Sequence, residues 1–191
     1  FNLMEERDIQ IKGYRGRMPL DILIIGTANP EDYTNRGRII TPLKDRYGAQ
    51  VRTHYPERIE DELEIAEQER SHYDASEERV HVPAYMAEII GEITLLARRS
   101  PEVNQRSGVS VRMTIANLET ARASALRRVL RQGEDRSSVR VSDLSGLIAS
   151  TRGKLELETI EEGRENDVVE ELIKRAVLEV FNRNFSSDEL D

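Results

Sequence analysis

The sequence predicts a short α/β unit followed by a mainly α-helical region, helix-rich overall. Three observations predict it. Asp8-Ile-Gln-Ile-Lys12 alternates polar and apolar residues, as a half-buried strand does. Leu20-Asp-Ile-Leu-Ile-Ile-Gly26 is an apolar, β-branched run between Pro19 and Gly26, the pattern of a strand buried on both faces. After Pro56 the apolar period changes from two to that of a helix.

In chain order, Gly13-Tyr-Arg-Gly-Arg17 supplies turn glycines between the first strand and the Leu20–Gly26 run, giving a hairpin or bent strand pair that feeds a core strand. Thr27-Ala-Asn-Pro30 closes that strand. Thr41-Pro-Leu43 opens a short helix, with proline in an allowed first-turn position, and Gly48 stops it. Ala49 to Thr53 reads as a further strand. Beyond Pro56, Ile59, Leu63 and Ala66 share one face of a very acidic helix. Met86, Ile89, Ile90, Ile93 and Leu96 form a stronger stripe after Pro83. Ser110 is placed to cap a third helix, buried along Ile115, Leu118, Ala121, Ala125 and Val129, with Gly133 beyond its end. Gln132 to Ser138 reads as a polar linker. A short helix (Asp143 to Ser150), a strand (Lys154 to Glu158) and a last helix faced by Val169, Leu172, Ile173, Ala176, Val177 and Val180 complete the chain. The acidic tail from Ser186 is expected to be disordered.

Composition narrows the function classes. The 191 residues carry 38% apolar and 34% charged side chains, so helical cores laced with charge are expected. A net charge of −8 argues against a surface that neutralises nucleic-acid phosphates throughout. Absence of cysteine excludes disulfides and thiolate metal sites, and His54, His72 and His81 form no ligand pair at helical spacing, so no metal set is assigned. No apolar run approaches the ~20 residues of a membrane span and no signal peptide opens the chain, which leads to an expectation of a soluble, cytoplasmic protein without a membrane partner. Phe1-Asn-Leu-Met-Glu-Glu6 reads as the end of a helix already under way, so Phe1 is expected to mark a cut.

Three polar residues stand where phosphate chemistry would need them. Asn29 follows the core strand, and ligands of open α/β sheets bind beyond strand carboxyl ends; alone, it reads first as the start of an Asn-Pro turn. Arg46, in Leu43-Lys-Asp-Arg-Tyr-Gly48, suits a phosphate because a guanidinium is always charged and forks onto oxyanions; alone, it is an ordinary surface arginine paired with an acid. Arg112, in Arg106-Ser-Gly-Val-Ser-Val-Arg112, lies in a helix's first turn, where a cation opposes the helix dipole unless an anion shares the site.

In this order the motifs resemble those of AAA+ ATPases of the magnesium-chelatase I-type and MoxR-like kind. Ile22-Leu-Ile-Ile-Gly-Thr-Ala-Asn-Pro-Glu31 resembles that family's sensor-1 strand, and Leu43 to Gly48 its Leu-x-Asp-Arg-Phe-Gly segment, with Tyr47 in place of Phe. Asn2 to Arg7 resembles the helix end before its pre-sensor hairpin. Ser110-Val-Arg112 stands where such families place a sensor-2 arginine, with Val111 where many members have proline. The resemblance runs over Asn2 to Pro56 and Val80 to Val129.

It implies that residues 1–56 end a AAA+ α/β nucleotide-binding domain, that 57–132 form a helical lid, and that 133–191 are a C-terminal helical extension. Asn29 would position the attacking water, Arg46 would be the arginine finger acting in a neighbouring subunit, and Arg112 would touch the nucleotide, with Arg106 its rival. The parent would use ATP and Mg²⁺, form a homo-oligomeric, hexameric ring, and remodel a partner protein carrying a metal-dependent adhesion-type domain or drive metal insertion. The chain has no Gly-x-x-x-x-Gly-Lys-Ser/Thr loop (Walker A) and no apolar strand ending in Asp-Glu (Walker B), so alone it is expected to bind no ATP or Mg²⁺ and to be inactive. The alternatives are a non-enzymatic helical interaction module and a nucleic-acid motor. The motor would work through the basic hairpin tip, Lys12 to Arg17, and the Arg122, Arg127, Arg128 and Arg131 cluster. A sheet without its neighbouring strands would bare Ile22 to Ile25, predicting self-association or partial disorder of the first ~50 residues.

Overall fold

A computed structural model of the chain describes residues 8–17, 22–27, 44–105, 107–158 and 163–185. The chain divides into two compact units, Phe1–Thr53 and His54–Asp191.

In the first unit, β1 (Asp8–Ile11) pairs antiparallel with β2 (Tyr14–Arg17), with Ile11 opposite Tyr14. The intervening Lys12 and Gly13 have φ of 49° and 87°, the double left-handed geometry of a type I′ turn, whose twist matches that of the strands. A hairpin is therefore present, but its second strand is Tyr14–Arg17, the stretch read as turn, and not the Leu20–Gly26 run. The predicted core strand is not present: residues 22–27 join no ladder among the described residues, and Leu23 and Ile25 are 85% and 80% exposed. A parallel strand is buried only by neighbours on both edges and helices on both faces. The described residues of this unit offer a single hairpin. Ala49 to Thr53 is likewise exposed and unladdered. Lys44 is helical, and the Tyr47 amide donates to its carbonyl at 3.3 Å; Thr41 to Leu43 lie outside the described residues.

The second unit is helical. Its elements are α1 (Ile59–Glu69), α2 (Asp74–Arg79), β3 (Val80–His81), α3 (Ala84–Arg99), α4 (Arg112–Gln132), β4 (Ser137–Ser138), a 3-10 turn at Val141–Gly146, α5 (Leu147–Arg152) and α6 (Arg164–Asn184). Helix α3 is buried at Met86 and at every position from Ile89 to Ala97, the signature of a central helix rather than a surface one. Helices α1, α4 and α6 pack around it. Gly91 lets α1 come close: Ile59 Cδ1 lies 2.6 Å from where a Cβ would stand. Helix α4 contributes Leu118, Ala121, Ala125 and Val129, as its spacing predicts, and ends at Gly133. Helix α6 contributes Val169, Leu172, Ala176 and Val180.

Residues of the 137–158 and 163–184 segments share this core with the helices before them. Ser137–Ser138, read as linker, pair in parallel with Val80–His81. The strand expected at Lys154 to Glu158 reduces to one antiparallel bridge, Leu157 to Val103, flanked by the Asn104 amide donating to the Glu156 carbonyl at 2.7 Å. Polar side chains fasten the pieces. Asn117 on α4 donates to Thr151 Oγ1 on α5 at 2.9 Å, and Arg183 on α6 reaches the buried Glu92 of α3 at 2.8 Å. That hydrogen bond raises the Arg183 pKa above its ordinary value. Arg128 pairs with the buried Asp143 at 2.6 Å, and Asp143 also accepts from the Arg140 amide at 2.8 Å.

Candidate functional site

Arg112 is the first residue of α4, and the elements around its position form a buried polar brace. Glu62 on α1 is fully buried, although flanked by acids in an otherwise exposed stretch. Its carboxylate accepts from the Thr114 hydroxyl at 2.6 Å and faces Arg98 Nη1 at 2.9 Å. Thr94 and Thr114 hydroxyls are 2.6 Å apart; because Thr114 gives its hydrogen to Glu62, Thr94 is the donor between them. Arg98 extends the network into the loops: Nε donates to the Val109 carbonyl at 2.8 Å and Nη1 to the Pro56 carbonyl at 3.2 Å. The guanidinium also lies over the Tyr55 ring, 4.7 Å from its centroid, a cation–π contact.

One guanidinium thus joins the 55–56 segment, α1, α3 and the 107–111 loop, while Thr114 ties in α4. The chain is held at Val109 and again at Thr114, so the intervening Ser110-Val111-Arg112 has little freedom. On the other side, Gln105 Nε2 donates to the Ser100 and Val103 carbonyls at 2.9 and 3.1 Å, and Ser107 donates to Glu156.

The start of α4 is electrostatically open. Its N-cap is Val111 with no side-chain cap, and no acid stands in the first turn. Ser110, expected to cap, contributes its backbone carbonyl to Met113 N at 3.0 Å instead. The exposed Arg112 side chain makes no hydrogen bond or ion pair with the described residues. A cation and the positive end of a helix dipole therefore share one surface, an arrangement that favours an anion.

Arg46 belongs to the first unit and is half-buried. Beside it, the Tyr47 hydroxyl stands 2.8 Å from where a Cβ would project at Gly26, so the end of the Ile22–Gly26 run and the Arg46 segment meet. Asn29 and Arg106 lie outside the described residues. Arg46 and Arg112 fall in different units.

Among the described residues, no group of three or more His, Cys, Asp or Glu is arranged to hold a metal ion, and no helix is long and apolar enough to cross a membrane. Glu62, Thr94, Arg98 and Thr114 were not singled out by the sequence, yet a signal existed: Ile59, Glu62 and Ala66 follow helical i, i+3, i+7 spacing, which puts the acid on the apolar face. Comparison of the chain with protein-family models, curated proteins and solved structures found no match.

Proposed function

We propose that the chain supplies the sensor, finger and lid elements of a AAA+ ring ATPase of the magnesium-chelatase/MoxR-like kind. The carrying observation is Arg112: an exposed guanidinium without a hydrogen-bond or ion-pair partner among the described residues, at an uncapped helix start that a buried brace holds in place. Such a brace has stability value in itself, but the unpaired cation it positions opposes the helix dipole and helps only when an anion arrives. A nucleotide phosphate is that anion under this reading.

The chain supplies neither the amide cradle and lysine of a phosphate loop nor an Asp-Glu strand, so it does not by itself fit Mg-ATP. Those groups would come from a further polypeptide segment of the parent. Arg112 and Arg46 fit peripheral contacts, the first to the nucleotide of its own subunit and the second, as a finger, to a neighbour's γ-phosphate in an oligomeric ring. Asn29 would orient water at the same site. Bound Mg-ATP supplies the phosphoanhydride whose hydrolysis moves the lid and drives a partner protein or metal insertion.

The test is steady-state ATP hydrolysis by a parent assembly that contains a phosphate loop. Arg46→Ala is expected to lower turnover ~10³-fold, with partial recovery on mixing with subunits that keep Arg46 but lack the phosphate-loop lysine. Arg112→Ala is expected to weaken nucleotide binding about tenfold. Unchanged turnover and binding in both variants would sink the assignment.

A non-enzymatic interaction module has one observation in its favour. Leu178 and Phe181 on α6 and Phe185 directly after its end are exposed, with the two phenylalanine rings stacked at 4.9 Å.

A further inference from the structure

The short parallel pair β3–β4 and the middle of α4 enclose an open groove of about 600 Å³ whose lining includes three arginines. Arg79 is the last residue of α2, Arg136 directly precedes β4, and Arg122 comes from α4. Among the described side chains, Glu78 is the one acid of the lining. In a chain of net charge −8, this concentration of cations runs against the background. Arg79 and Arg136 are exposed and make no hydrogen bond or ion pair with the described residues. The groove also presents the exposed His81 and two hydroxyls, Ser137 and Ser138. Ser137 Oγ accepts from Arg128 Nη2 at 3.2 Å, which leaves its own hydrogen to donate.

The walls are fixed. Val139 N donates to the His81 carbonyl at 2.9 Å, continuing the β3–β4 ladder, and Arg128, itself paired with buried Asp143, donates to the Ser138 carbonyl at 2.7 Å. Among the described residues, Val80 and Val82 are the apolar side chains of the lining, and Val80 is buried, so a nucleobase finds no broad apolar wall there. Donors converge from three elements on a polar, solvent-open space.

We propose that this groove binds a phosphate-class oxyanion carrying more than one charge, read through its phosphate groups alone. Guanidinium forks and hydroxyl donors match tetrahedral oxyanions, and Arg79, Arg122 and Arg136 on separate elements suit an anion with several phosphoryl oxygens better than a single carboxylate. The groove shares no residue with the Arg112 site, so its occupancy does not depend on the ATPase reading.

Isothermal titration of the chain with inorganic pyrophosphate at low, fixed ionic strength tests the proposal. Saturable binding that weakens as salt is added is expected, and Arg79→Ala and Arg136→Ala are each expected to weaken it about tenfold. Both side chains are exposed and have no hydrogen-bond or ion-pair partner among the described residues, so unchanged melting curves will show that these variants fold. Arg131→Ala, which removes an exposed charge of α4 outside the groove, is expected to leave affinity within twofold. Equal weakening by Arg131→Ala and the groove variants would reduce the effect to net charge and overturn the site, as would no binding at low salt. ATP in place of pyrophosphate separates the sources: comparable affinity, lost in the same variants, supports recognition of phosphate alone, and ATP binding tenfold tighter overturns it.

Discussion

Removing the Arg98 side chain measures the brace beneath Arg112. Glu62 is fully buried and Arg98 Nη1 stands 2.9 Å from its carboxylate, with the arginine side chain only 11% exposed, so little solvent screens the pair. Arg98→Ala strands that carboxylate against the Thr114 hydroxyl alone and frees the Val109 and Pro56 carbonyls. Breaking a buried pair from one side costs about 3–5 kcal/mol. The second unit spans roughly 140 residues, and unfolding entropy of about 2.1 cal/mol/K per residue gives ~0.3 kcal/mol/K. The expected fall in Tm is therefore ~10–17 °C, read by far-UV circular dichroism at neutral pH. Replacing both charges, Glu62→Met with Arg98→Met, leaves no stranded ion and is expected to recover at least half of that loss. A single variant that falls by less than ~3 °C, or a double variant as unstable as Arg98→Ala, would refute the claim that an ion pair holds this junction.

Three further outcomes follow from the same structure. Arg112→Glu converts an unfavourable dipole contact into a favourable one and is expected to raise Tm by ~2–3 °C, about 0.5–1 kcal/mol, in thermal melts; a lower Tm would mean that Arg112 has a protein partner. Asp143→Ala removes the Arg128 pair and the acceptor for the Arg140 amide, and is expected to lower Tm by ~7–14 °C, about 2–4 kcal/mol, with Asp143→Asn intermediate. Because Leu23 and Ile25 are exposed beside Ile22, sedimentation velocity is expected to show concentration-dependent association that Leu23→Asp reduces; monomer throughout would contradict an adhesive patch.

Helical packing was legible because it is written locally. Met86, Ile89, Ile90, Ile93 and Leu96 repeat with the helix period, and all five are buried. What escaped the sequence were contacts made between distant segments. Pairing of Val80–His81 with Ser137–Ser138 joins two stretches that carry no strand signal of their own. Glu62, Thr94 and Thr114 are polar, so an apolar count passes over them although they occupy core positions. The run Ile22–Ile25 failed in the opposite sense: its composition describes a strand between strands, and composition cannot supply the neighbours. Of the candidate site, the Arg112 position at the helix start was legible, whereas the network that holds it was not.

The packing of α6 on α3, the most extensive helix–helix contact of the unit, sets an order of events on the ribosome. The chain emerges from its N-terminus, and the start of α6 is made roughly 65 residues after α3 is complete. At about 5–20 residues per second, α3 waits roughly 3–13 s for its main cover. Throughout that interval Ile90 and Ile93 belong to a nascent chain that cannot yet close its centre. Synthesis speed and chaperone access over that stretch therefore bear on the yield of folded protein as directly as any contact in the finished molecule.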